Sequence, residues 1–298
     1  MLRTSCLFVF LFLAFLSFVA GQELRTLAKI PAKINESSGI EIANKNRVWT
    51  LNDSGGKAEL YLCDTTGQLI RTLEIANSRN KDWEDMTRDD KGNIYIGDMG
   101  NNSNNRKDLT IYKIPNPEKV NGKTVRTEVI TFSYEDQHSF PPPKDKLNYD
   151  CESLIWKDGQ IYLLSKHRTF PMRTNLYRIP DSPGNYIAKK ISSFQTSSPE
   201  ETDLYSYWIA AADISPDGST VCMISSSKMW IFYNFEGDDF FSGQSMRIDF
   251  PSGTQKEAIV FLSNSEVYIT DEEWFGGIGR NLYYIRLPEL IGQAKKDR

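Results

Sequence analysis

Three glutamates, Glu84, Glu152 and Glu257, each stand at the start of a short apolar run of one design, and Ser38 and Ala212 hold the matching place in two more. The runs are Glu84-Asp85-Met86, Glu152-Ser153-Leu154-Ile155 and Glu257-Ala258-Ile259-Val260, beside Ser38-Gly39-Ile40 and Ala212-Asp213-Ile214. If the five runs surround one axis, three carboxylates converge, and carboxylates so close cannot all stay ionised without a cation. Oxygen donors without His or Cys suit Ca²⁺, with Mg²⁺ or Mn²⁺ behind it. Ser38, Glu84, Glu152 and Glu257 are therefore the candidate metal ligands, whereas Ala212 offers only backbone or a water. The alternative is that these glutamates accept hydrogen bonds from backbone amides at strand starts.

A second set follows at fixed spacing. Asp98, Lys166, Ser226 and Asp271 come fourteen residues after Glu84, Glu152, Ala212 and Glu257, and Asp53 comes fifteen after Ser38. His167, Ser227 and Glu272 adjoin them, with Trp83, Tyr149, Trp208 and Trp274 on the flanks and Arg106, Arg168, Lys228, Lys256 and Arg280 in nearby loops. Carboxylates that hold a metal or activate water, beside cations that grip an anion, would suit phosphoester hydrolysis. On that reading Asp53, Asp98, Asp271 and His167 are the catalytic candidates. The other reading is an ordinary polar rim with aromatic packing. No Ser-nucleophile motif, P-loop or Gly-rich dinucleotide fingerprint is present.

Both sets must be positioned by hairpins. Each apolar run leads through a turn such as Asp90-Lys91-Gly92-Asn93, Asp158-Gly159 or Pro216-Asp217-Gly218 into an alternating run such as Ile94-Tyr95-Ile96-Gly97-Asp98. The turn centre lies midway between the paired positions, so Glu84 and Asp98 are expected as cross-strand neighbours. Third and fourth strands follow, for instance Glu59–Cys63 with Leu69–Ile75, and 109–114 with a single strand over 125–134. Five such units predict an all-β, five-bladed β-propeller with four-stranded blades. The fifth unit supplies only three strands before the chain ends, and Leu24–Ile30 resembles the fourth strands of the others. It is expected to complete the last blade and remove the exposed edge. Insertions at 135–150 and 195–207 both precede a first strand, at the end of the ring that carries the glutamates.

Composition sets the frame. Arg3, an apolar run from Leu7 to Ala20 and the small pair Ala20-Gly21 predict a secretory signal peptide over residues 1–21, followed by one propeller domain over 22–298. The apolar run is shorter than the ~20 residues a membrane span needs. A secreted or periplasmic monomer without a membrane span is expected. The formal charge of −4 argues against a nucleic-acid surface, which needs a clustered basic face. Cys63, Cys151 and Cys222 fall on strands of three different units without CxxC spacing, so they predict neither zinc nor a disulfide framework.

The segments Glu36-Ser37-Ser38-Gly39-Ile40, Leu51-Asn52-Asp53-Ser54-Gly55-Gly56, Asp82-Trp83-Glu84-Asp85-Met86 and 96–102 resemble exported propeller proteins of Bacteroidetes-type bacteria. The Ser-Gly-Ile and Glu-x-Ile strand starts also resemble the SdiA-regulated family, which implies a calcium site. The order Ser, Glu, Glu, x, Glu on five inner strands is similar to the calcium-activated nucleotidases, with phytase-like features. That likeness implies a central Ca²⁺ on Ser38, Glu84, Glu152 and Glu257 and cleavage of nucleoside diphosphates, and Ala212 departs from it. Two functions stay open: a ligand-binding or surface-interaction module taking a small-molecule, phosphorylated or glycan ligand at the channel mouth, and a calcium-dependent phosphohydrolase.

Overall fold

The computed structural model describes residues 24–198, 200, 201, 203–250 and 254–287; the expected leader lies outside them. After β1 (Arg25–Lys29), β2 (Ser37–Asn44), β3 (Arg47–Asn52), β4 (Glu59–Asp64) and β5 (Leu69–Ala76) form an antiparallel meander. The next runs through β6 (Trp83–Arg88), β7 (Ile94–Asp98) and β8 (Leu109–Ile114), passes the short β9 (Thr124–Arg126), and ends in β10 (Glu128–Tyr134). The third comprises β11 (Asp150–Lys157), β12 (Gln160–Lys166), β13 (Arg173–Pro180) and β14 (Gly184–Gln195). The fourth comprises β15 (Ala211–Ile214), β16 (Thr220–Ile224), β17 (Lys228–Tyr233) and β18 (Gln244–Asp249). Then come β19 (Lys256–Ser263) and β20 (Glu266–Asp271), a two-residue hairpin of β21 (Glu273–Trp274) and β22 (Ile278–Gly279), and β23 (Asn281–Arg286). β1 pairs antiparallel with β23, so the last sheet reads β1-β23-β20-β19 and takes its fourth strand from the opposite end of the chain.

The single strand expected over 125–134 is instead two. Thr127 separates them, β9 pairing parallel with β5 while β10 pairs antiparallel with β8 and parallel with β14. These parallel pairings occupy outer edges that would otherwise invite association.

Alternation along each strand explains the packing. On β7, Tyr95 faces a cluster with Leu154, Ile161 and Tyr177, whereas Ile94 and Ile96 face one with Trp49, Leu51 and Leu73. A period of two sends neighbours to opposite faces, so a sheet buried on both sides reads as a near-continuous apolar run. Every core lies between two consecutive meanders, and the last is shared by the final and first sheets through Val260, Tyr268, Val48 and Tyr61. The first strands follow suit: β2 lies beside β6, β6 beside β11, β11 beside β15, β15 beside β19, and β19 beside β2. Gly39 permits the close approach of β2 to β6, since a Cβ there would lie 2.8 Å from the Met86 amide nitrogen. Cys63, Cys151 and Cys222 are buried free thiols in three separate cores, and burial pushes Cys63 up to about 12.

Candidate functional site

The three glutamates are set by one backbone device. Trp83 pairs with Asp98 and Asp85 with Gly97, which leaves Glu84 as the extra residue of a β-bulge. Glu152 and Glu257 are skipped in the same way on β11 and β19, and Ser38 with Gly39 on β2. β15, which carries Ala212, pairs with β16 without a shift. A bulge re-aims a side chain at the cost of a ladder bond. Here it turns Glu84, Glu152 and Glu257 into one cavity of about 650 Å³, with Tyr205 of the 195–207 insertion on its wall.

Asp53, Glu272, Lys166, Arg168, Trp208 and Trp274 line the same cavity, with Asn102, Tyr205, Gln255 and Ser226. Its carboxylates divide into two groups. Glu152 is paired with Lys166 at 2.7 Å and lies 3.7 Å from Arg168, whose Nε also donates to Asp150 at 2.7 Å. Burial opposes the charge on Lys166, yet Glu152, Asp150 and Glu257 together carry its pKa upward. Glu84, Glu257, Asp53 and Glu272 have no ion pair among the described residues. Burial, with the Glu152 charge behind it, holds Glu84 well above the usual carboxylate range. Burial and Asp82 raise Asp53 to about 7, and burial with Glu257 raises Glu272 to about 9. Such a basin favours protons or cations over bare carboxylates.

Asp53, Asp82 and Glu84 bring carboxylate oxygens within 4.8 Å of one another. Asn80 fixes two sides of this group, its amide donating to the Asn52 and Asp53 carbonyls at 2.9 and 2.7 Å while its carbonyl oxygen accepts the Trp83 amide at 3.2 Å. Gly100 closes the third side, where any Cβ would collide with Glu84 Oε1 and Asp82 Oδ2. An all-oxygen triad behind a glycine, with no ion pair among the described residues, suits a hard divalent ion. The ring expected from the sequence fits less well. The Ser38 hydroxyl donates to the Glu84 carbonyl, Glu152 is held by Lys166, and Glu257 lines the cavity outside the triad.

The catalytic candidates part company. Asp53 lines the cavity, whereas Asp98, Asp271 and His167 are not among its lining residues. Asp98 is paired with Arg106 at 2.9 Å and accepts the Asp82 amide. Asp271 accepts from the Asn281 amide at 2.5 Å and the Tyr283 hydroxyl at 2.6 Å. His167 is buried with no partner on Nδ1, and desolvation pushes its pKa down to about 4, so its imidazole is neutral. Of the flanking aromatics, Trp208 and Trp274 reach the mouth while Trp83 and Tyr149 belong to the cores. Asp82 is the residue that spacing alone missed. Its signal was the alternation Asp82-x-Glu84 with a glycine two residues past Asp98.

No family model matches the chain, and no curated protein matches it. Among solved structures it is similar to the PQQ-bound form of aldose sugar dehydrogenase from Streptomyces coelicolor, at 10% identity and a TM-score of 0.53 over 88% of this chain and 96% of that one. It is also similar to the major Malassezia sympodialis allergen Mala s 1, at 11% identity and a TM-score of 0.51 over 87% and 95%. No described helix is long and apolar enough to cross a membrane. At these identities the likeness speaks for architecture alone, and the chain is all-β with a propeller-like fold.

Proposed function

We propose that this protein is an exported five-bladed β-propeller, each meander one blade and β1 completing the last, whose channel mouth binds a ligand beside a Ca²⁺-type cation. The observation that carries this reading is the Asp53–Asp82–Glu84 triad, three carboxylates within 4.8 Å that no cationic side chain neutralises among the described residues. Glu257 and Glu272 extend the acidic wall, and Lys166 with Arg168 bounds it opposite. A bound cation would supply charge neutralisation and open coordination positions for ligand oxygens. The chain's own groups would orient the ligand: Lys166 and Arg168 as donors, Trp208 and Trp274 as walls.

Binding is favoured over phosphoester hydrolysis because three of the four residues suited to hydrolysis, Asp98, Asp271 and His167, are engaged or buried away from the cavity. The experiment is a melting curve of the purified protein with excess Ca²⁺ and with chelator, alongside Glu84→Gln and Asp82→Asn. A cation bound only by the native state adds about 2.7 kcal/mol at a hundredfold excess over Kd. Calcium raises Tm in the parent and in neither variant. No rise in the parent rejects the cation, and turnover of a phosphoester panel by the parent would reinstate the hydrolase.

A further inference from the structure

The mouth presents opposite hydrogen-bonding characters at once. Glu84, Glu257 and Glu272 are acceptors when ionised, while Lys166 and Arg168 are donors only, and all five line one cavity of about 650 Å³. An organic cation would satisfy the carboxylates but meet Lys166 and Arg168. A phosphate would have to compete with Glu152 and Asp150 for those two cations and would meet a surplus of carboxylates. A hydroxyl donates and accepts, so a molecule dense in hydroxyls satisfies both walls.

The rim adds a second, independent requirement. Tyr205 is 71% exposed and Trp274 59% exposed, both on the cavity wall, and Phe275 beside Trp274 is 94% exposed. Tyr205 packs edge-on against Trp208 with ring centroids 4.8 Å apart, and the Arg168 guanidinium lies 4.9 Å from the Trp208 ring centroid, so these walls are held in place. Exposed aromatic walls beside dense polar groups call for a ligand with apolar C–H faces as well as hydroxyls. The volume lies in the range of small-molecule sites.

We infer that the ligand of the mouth is a neutral carbohydrate, a sugar or short oligosaccharide whose hydroxyls meet the carboxylate and Lys166–Arg168 walls and whose ring faces rest on Trp274 and Tyr205. The inference rests on the reading of the mouth as a binding site. A panel of neutral oligosaccharides, with spermidine and inorganic phosphate as contrasts, is titrated into the purified protein by calorimetry, with and without Ca²⁺. At least one neutral saccharide binds, and Trp274→Ala, a change at an exposed side chain, weakens it about tenfold or more while Tm stays put. Spermidine or phosphate binding that Trp274→Ala weakens, with no saccharide bound, overturns the carbohydrate and leaves the binding site standing. If nothing in the panel binds, both readings fall.

Discussion

The two ends of the first strands use the same kind of side chain for opposite purposes. Toward the middle and the hairpin-turn end, Asp85 and Asp213 are spent on backbone. Asp85 Oδ2 accepts from the Leu154 amide at 2.9 Å and the Ser153 hydroxyl at 3.1 Å, and Oδ1 accepts from its neighbour's amide at 2.8 Å. Asp213 does the same two gaps further on, taking the Phe261 and Ile214 amides at 2.7 Å each. These bonds tie β6 to β11 and β15 to β19. At the mouth, Glu84 and Asp82 accept no such tie from a neighbouring first strand among the described residues. Burial raises the pKa at both ends, well above the usual range for Asp85 and to about 7 for Asp213 and Asp53 alike. A raised carboxylate therefore does not mark a site. What separates the ends is whether the neighbouring strand has already donated to the oxygens.

Removing a tie should cost most. Asp85→Ala leaves the Leu154 amide and Ser153 hydroxyl short of an acceptor inside the ring, and should lower unfolding free energy by about 3 kcal/mol in a urea titration. A loss below about 1 kcal/mol would erase the distinction drawn here. Gly100→Ala comes next: the added Cβ displaces Glu84 or Asp82, so the calcium-induced stabilisation, about 2.7 kcal/mol at a hundredfold excess over Kd and read as a rise in Tm, should vanish while the far-ultraviolet spectrum is kept. The third sharpens the comparison through pH. Asp213 holds its proton to about 7 in the fold but only to about 3.9 when unfolded. The folded state binds more protons between those values, so its contribution is full below about pH 4 and is lost as pH rises through 7. Asp213→Asn should flatten the fall in stability between pH 4 and 7 by about one proton; an unchanged slope would place the titration elsewhere. The smallest effect belongs to the rim, where Trp274→Ala should shift stability by under about 0.5 kcal/mol, read from the same urea curves.

Much of this architecture was legible because hairpin signals are local. Runs such as Ile94–Asp98 and turns such as Asp158-Gly159 state their own geometry, and β1 could be matched to a missing strand by pattern. The site was legible only in part. The fourteen-residue spacing assumes a regular ladder, but each bulge slides the pairing by one, so Asp98 meets Trp83. It is Arg106, eight residues on, that claims Asp98, and Asn281 and Tyr283 that claim Asp271. Partners of that kind come from the loop before a third strand or from the third strand itself, which a hairpin period does not carry. Lys166 was expected in the second set, fourteen residues after Glu152, and the folded chain joins the two in an ion pair that removes that glutamate from the free acidic wall.

The pairing of β1 with β23 has a consequence in time. Arg25 and Tyr284 are register partners, so β1 must wait until β23 has been synthesised before the two can bond. Loop closure over such a span is slow compared with local hairpins, which form in microseconds. Until closure, β23 exposes a bare edge and the final core lacks one wall. A circular permutant with the two ends joined and the chain reopened in the 135–150 insertion would turn the longest wait into a short loop. Its refolding should quicken while the closed ring it reaches stays the same.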